Sequence, residues 1–426
     1  MTEATQKDRI LELDTPLGKD VLLIRRLTGT ETMSGPFRFR LEMESKNKSV
    51  DSGALIGKGV TVRLEIYDED NKVLGHRFFH GMVHAFGKVE QNDDLAFYRA
   101  EIVPWFELLT HTADCRIFQN QTVPEIIKTV FDEWKNEYGD LVAFDDKTEA
   151  SKYRPLDYCV QYRETDFNFL SRLMEREAIY YYYTHEDKKH TLVFADNTDN
   201  PPCPVRDKVR YEQGDEGDVW AEPEDSALLS LVSTGLETLQ SEGTGLFNQK
   251  KSEVTSQITD GFLSLIVGGV FGGIQFVFSK ILESIINTLK EKRPKQLGVK
   301  TFRVLQDLRP GRYCLRDHHF ELPDKNLEVR EVTNITVGSP DKLEMFDYPG
   351  EYAQRFNKPG ERLDEVEQEG KKLVQLRMEE EETPHWIISG VSRESAFTAG
   401  HHFELTEHRD KAVNGQYLIT RVEHDV

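Results

Sequence analysis

The chain has 426 residues, enough for roughly two to four domains with cores of their own, and its cysteines, Cys115, Cys159, Cys203 and Cys314, form no Cys-x-x-Cys pair. With 75 acidic against 54 basic side chains the net charge is −21, which opposes binding to nucleic-acid backbones and to anionic membrane surfaces. The polar opening "MTEATQKDRILELDTPLGKD" holds no apolar stretch of signal-peptide length, so cytoplasmic assembly without a signal peptide is expected.

The first hundred or so residues read as antiparallel β. In "FRFRLEMES" Phe37, Phe39, Leu41 and Met43 alternate with charged residues, the pattern of a half-buried strand, and Val60, Val62, Leu64 and Ile66 repeat it. Next, Thr122 lies three residues before Glu125, the spacing of a reciprocal helix cap, with Pro124 in the first turn. Ile126, Ile127, Val130, Phe131 and Trp134 then make one apolar stripe, which Gly139 closes.

In "VQYRETDFNFLSRLMEREAIYYYY" a helix is expected to start at Glu164 or Thr165, with Phe167, Leu170, Leu173, Met174 and Ala178 inward. Tyr180, Tyr181, Tyr182 and Tyr183 follow as a strand with tyrosine on both faces. That suits a layer between helix and barrel or a subunit interface, because the ring buries while the hydroxyl still finds a partner. A stacking platform for bases would need a basic groove that this composition does not supply.

Residues 226–299 hold the long apolar run. Within it Gly261 to Ser279 carries 19 uncharged residues, including Gly268-x-x-x-Gly272 and Gly269-x-x-x-Gly273. The run just reaches the ~20 residues that a bilayer requires, but each of its glycines costs a helix about 1 kcal/mol relative to alanine. An apolar hairpin packed on this protein or on a neighbouring subunit is the favoured reading. A membrane-inserting effector, or a membrane or cargo contact through Phe262, Leu263, Ile266, Phe271, Phe276 and Phe278, is the alternative. After it, "VKTFRVLQDL" returns to β alternation, residues 361–382 form an amphipathic helix with Leu363, Val366, Leu373 and Leu376 inward, and the chain closes in strands. The pentapeptide "HHFEL" occurs at 318–322 and again at 401–405, which allows two similar β corners.

His76, His80 and His84 recur every four residues, yet on a strand neighbouring imidazoles would be about 13 Å apart, too far for one ion. The pairs His318–His319 and His401–His402 point to opposite faces. All seven are expected at the surface or lining a barrel. No nucleophile elbow, phosphate loop, dinucleotide fingerprint or His-Glu-x-x-His motif occurs, so no enzyme, cofactor or metal site is expected.

Five ordered stretches, "CRIFQNQTVPEII", "YCVQYRETDFNFLSRLMEREAIYYYY", "LRPGRYCLRDHHFELP", "YPGEY" and "NGQYLITRVEH", resemble successive signatures of the VgrG family, the spike proteins of type VI secretion, which are similar to phage baseplate hubs. The resemblance implies an α+β fold of two antiparallel β-barrel-like domains flanking a small α/β domain, assembled as a homotrimer. The segments would be 1–110, 111–205, and 206–225 with 300–426, interrupted by the insertion 226–299. It also implies an inner-tube partner of the Hcp type, baseplate proteins, a spike and effector cargo, with ejection from the cell. Arg163, Glu164, Asp166 and Phe169, and Tyr348, Pro349 and Gly350, fall on its signature positions as structural residues. Family members usually continue into a further barrel and a β-helical spike. The same hub in a phage tail or an extracellular contractile particle is a second expectation.

Overall fold

The computed structural model describes residues 5–7, 9–68, 72–212, 298–353 and 363–426. All of these lie in one of the two units into which the chain divides. The apolar segment carrying Phe262, Leu263, Ile266, Phe271, Phe276 and Phe278 lies outside the described residues, as do Glu361 and Arg362 at the start of the expected amphipathic helix.

Six strands come first: β1 (Leu11–Asp14), β2 (Leu23–Thr32), β3 (Gly35–Ser45), β4 (Gly59–Tyr67), β5 (Val73–Gln91) and β6 (Ala96–Val103). Phe37, Phe39, Leu41 and Met43 of β3 are buried while Arg38 and Arg40 face water, the two-residue period of a half-buried strand. Residues 113–195 then add β7 (Ala113–Phe118), α1 (Val123–Tyr138), β8 (Phe144–Lys147), β9 (Cys159–Thr165), α2 (Asp166–Arg176), β10 (Tyr180–Glu186) and β11 (Lys189–Ala195).

Helix α1 starts where the sequence places it. The Glu125 carboxylate accepts from the Thr122 N–H at 2.7 Å while the Thr122 hydroxyl accepts from the Glu125 N–H at 3.4 Å, and Gly139 ends the helix at φ 59°. Its whole apolar stripe is buried. Helix α2 corrects the expected inner face: Thr165 caps it, but Phe169 is fully buried, Phe167 only half so, and Ala178 is exposed at φ 55° beyond the last turn. At 3.6 residues per turn, Phe169, Leu170, Leu173 and Met174 share a face that Ala178 misses because the helix has already ended. The Phe169 ring stacks on Phe118 at 5.5 Å.

The remaining strands are β12 (Lys208–Arg210), β13 (Val299–Gln306), β14 (Arg312–Asp317), β15 (Leu327–Val332), β16 (Glu344–Asp347), β17 (Trp386–Ser392), β18 (His402–Thr406), β19 (Gly415–Leu418) and β20 (Arg421–Asp425). Strand β20 pairs antiparallel with β2 and completes a seven-stranded sheet of order β1-β4-β5-β6-β3-β2-β20. That sheet, α1, α2, β10 and β11 share one continuous hydrophobic core. The later strands form three small sheets, β12-β18-β19, β13-β17 and β15-β14-β16.

Helix α3 (Val366–Glu382) covers β14 and β15. Its buried stripe is Val366, Gly370, Val374 and Met378, whereas the expected Leu363, Leu373 and Leu376 are only half-buried. The helix rolled toward its small residues because the Tyr352 ring occupies the space over Gly370, where a β-carbon would lie 2.6 Å from the ring edge. Gly370→Ala should therefore lose stability by about 1 kcal/mol net, since overpacking of ~1–3 kcal/mol exceeds the ~1 kcal/mol gained in helix propensity. A thermal melt that rises instead would show that the ring moves aside freely.

Inside the first sheet lies a buried ion pair. The Glu31 carboxylate on β2 accepts from the Arg77 guanidinium on β5, from the Ala399 N–H at 3.2 Å and from His424 Nε2 of β20 at 3.1 Å. Arg77 Nη1 also donates to the Ala396 carbonyl at 3.2 Å. Burial alone would raise the Glu31 carboxyl, but the Arg77 charge and the His424 hydrogen bond override it and hold Glu31 below the usual carboxylate range.

Candidate assembly surface

Strands β13 and β17 form a two-stranded ribbon, Leu305 opposite Ile387 and Val304 opposite Ile388, with Tyr211 bridging to Val299 at its start. Side chains alternate across a ribbon, so Leu305 and Ile387 occupy one face and Val304, Ile388 and Trp386 the other. Both faces meet solvent: Leu305 is 59% and Trp386 61% exposed, with Val304, Ile387 and Val391 also uncovered. A two-stranded ribbon is marginal in water without an apolar face to bury; here Val299 and Phe302 at one end pack against the β12-β18-β19 sheet, while among the described residues nothing covers Val304, Leu305, Trp386 and Ile387. Nearby, all four residues of edge strand β16 are exposed, including Met345 and Phe346. This apolar surface suits contact with another folded surface. No expectation named these residues. The signal was the adjacent apolar pair Val304-Leu305 and the run Trp386-Ile387-Ile388, local breaks in otherwise alternating strands.

The signature residues lie around the start of α2 and in the loop after β16. Asp166 is buried at the start of α2 and its carboxylate accepts from Arg116 Nη2 at 2.7 Å, Gln161 Nε2 at 2.8 Å and Trp134 Nε1 at 3.0 Å. Glu164 pairs with Arg172 at 2.6 Å, while Arg163, at φ 53°, lays its guanidinium over the exposed Tyr162 ring. Tyr348 is exposed, and the N–H of Gly350 donates to the Arg316 carbonyl at 2.9 Å.

Three of the four tyrosines do not present a face to another subunit. Tyr181, Tyr182 and Tyr183 are buried within this chain, and only Tyr180 is half-buried. Tyr181 and Tyr183 face the core, against Phe106 and Phe37, and Tyr182 packs edge-on to His401, so the strand fills the layer between helix and sheet. Burial pushes the Tyr182 hydroxyl up to about 12 and Tyr183 well above the ordinary value.

The histidines also depart from expectation. His80, His319 and His401 are buried, His76, His84 and His402 half-buried, and His318 alone is exposed. His80 meets His190, their Nδ1 atoms 2.9 Å apart, and burial lowers His80 to about 4 and His190 well below the usual imidazole value. Among the described residues no three His, Cys, Asp or Glu side chains converge so as to hold a metal ion.

The seven-stranded sheet shares its core with a small α/β layer, and among the described residues apolar side chains of β13, β16 and β17 stay exposed. The sequence profile of the phage tail baseplate hub (GPD) family matches residues 30–226 and 286–426, and the chain belongs to that family. Within it the similarity runs to VgrG spike proteins of type VI secretion. VgrG1a of Pseudomonas aeruginosa is 45% identical over 193 residues, 45% of this chain and 28% of that protein. VgrG1c of the same organism is 28% identical over 424 residues, 99% of this chain and 45% of that protein. The chain thus spans less than half the length of the curated relatives it matches. Among solved structures, the tail protein from Neisseria meningitidis MC58 aligns with a TM-score of 0.51 at 9% identity, covering 98% of this chain and 92% of that one, a likeness of fold.

Proposed function

We propose that the chain is a non-enzymatic hub of a contractile injection machine of the type VI secretion kind. Three copies close a ring through the β13–β17 ribbon and the β16 edge. With two barrel-like regions per copy, the ring caps a sixfold inner tube of an Hcp-like protein, contacts baseplate proteins and carries a spike with its effector cargo. Assembly takes place in the cytoplasm and ejection follows sheath contraction, with force rather than bond chemistry as the output. The observation that carries this reading is the cluster of exposed apolar residues, Val304, Leu305, Trp386 and Ile387, among the described residues of a member of a baseplate hub family.

Light scattering coupled to size exclusion tests it. The 49.2 kDa chain should elute at three times its mass. Replacing Leu305 and Ile387 together by glutamate should give a monomer, because two carboxylates set opposite each other in each ribbon cannot be desolvated. A wild-type monomer, or a double variant still trimeric, would sink the ribbon assignment. The family's own description favours a second reading, a hub of a phage tail or extracellular contractile particle. Co-purification with an Hcp-like tube protein, or with a phage tail-tube protein, separates the two.

A further inference from the structure

Three imidazoles meet where β5 passes the β10–β11 hairpin, and the hydrogen bonds of the buried pair leave no room for an extra proton. The Trp105 N–H can only donate, and it points at His190 Nε2 from 3.0 Å. Neutral His190 therefore carries its hydrogen on Nδ1 and donates to His80 Nδ1 at 2.9 Å, which leaves the His80 hydrogen on Nε2. His185 Nδ1 lies 3.2 Å from the His80 backbone nitrogen and 3.1 Å from its carbonyl oxygen, while its Nε2 is buried with no partner among the described residues. A proton added to His80 Nδ1 would set two N–H groups face to face, and one added to His190 Nε2 would oppose the Trp105 N–H. Each protonation thus breaks a hydrogen bond and buries a charge.

The surroundings offer little compensation. Asp187, in the turn after β10, is the acidic group acting on His80, and it is exposed. Glu31 acts on His185 from β2 but is already engaged by Arg77 and His424, and the Arg77 charge itself repels a proton there. On the third side, Tyr183 packs beside His190, and Glu107, in the turn that begins at Trp105, is paired with Arg38.

We propose that this cluster is an acid-operated latch: at neutral pH it ties β5 of the seven-stranded sheet to the β10–β11 hairpin, and acid releases them. The inference is independent of the trimer reading. The sign follows from linkage. His80 titrates at about 4 when folded and at about 6.5 when unfolded, so the tie is at full strength above ~6.5 and weakens as pH falls toward ~4. A hub built this way would hold together in neutral compartments and loosen in acidic ones.

The test is hydrogen–deuterium exchange of the full chain between pH 7.5 and 4, read by mass spectrometry at the imidazole C2 positions and at the backbone amides. His80 and His190 should both titrate well below the ordinary imidazole value of ~6.5, and residues 73–91 and 180–195 should lose protection before α3 does. The double variant His80→Gln/His190→Gln keeps a donor and an acceptor at each site without the charge, and its acid midpoint should fall by roughly one pH unit. If that variant does not fold, the imidazole readout on the wild-type chain decides alone. His80 and His190 titrating near the ordinary ~6.5, strands that stay protected to pH 4, or an unchanged midpoint in the variant would each overturn the latch.

Discussion

Arg77→Met is expected to lower the free energy of unfolding by about 3–5 kcal/mol, the cost of leaving one partner of a buried ion pair uncompensated. Glu31 would retain the Ala399 N–H and His424 as donors but lose the full charge that offsets its burial. Methionine fills most of the volume, so a cavity contributes little to the loss. Urea titration at fixed protein concentration, followed by tryptophan fluorescence, gives the value. The discriminating comparison is Glu31→Met with Arg77→Met, because removing both charges is often neutral or stabilising where removing one is not. A single variant within 1 kcal/mol of wild type would mean that the Arg77–Glu31 contact supplies shape rather than charge.

Asp166→Ala should cost roughly 3 kcal/mol, because it strands the donors of Arg116, Gln161 and Trp134 in one buried place. Asp166→Asn should recover less than half of the loss, since its amide can turn only one oxygen toward three donors. Trp134 supplies a local signal: freed of its acceptor and wetted, its emission should shift to longer wavelength in the alanine variant. An alanine variant with unchanged stability would show that water replaces the carboxylate without penalty.

What the sequence disclosed follows the range of the interactions involved. Helix α1 was legible because its cap, stripe and glycine stop lie within 18 residues, 122–139, and the strands of the first sheet because alternation is local. The inner face of α2 was misread at Ala178 because periodicity cannot say in which turn a helix stops. The histidine cluster was hidden for another reason. Spacing along one strand correctly separates His76, His80 and His84, but the partners of His80 come from β10 and β11, more than a hundred residues later, at His185 and His190. Glu31, Arg77 and His424 were invisible in the same way, since nothing near any of them predicts the others. Of the assembly surface, the run of apolar neighbours in β13 and β17 was readable, but their exposure was not.

Strand β20 sets a timetable for synthesis. Arg26 on β2 pairs at 2.6 Å with Asp425, 399 residues further along the chain. At about 5–20 residues per second a ribosome takes roughly 20–80 s to cover that distance, and for all of it the outer edge of β2 has no neighbour. An open strand edge is a template for any other strand that finds it first. Until β20 is made the nascent protein therefore presents that open edge, and chaperone occupancy should concentrate there rather than on the helices.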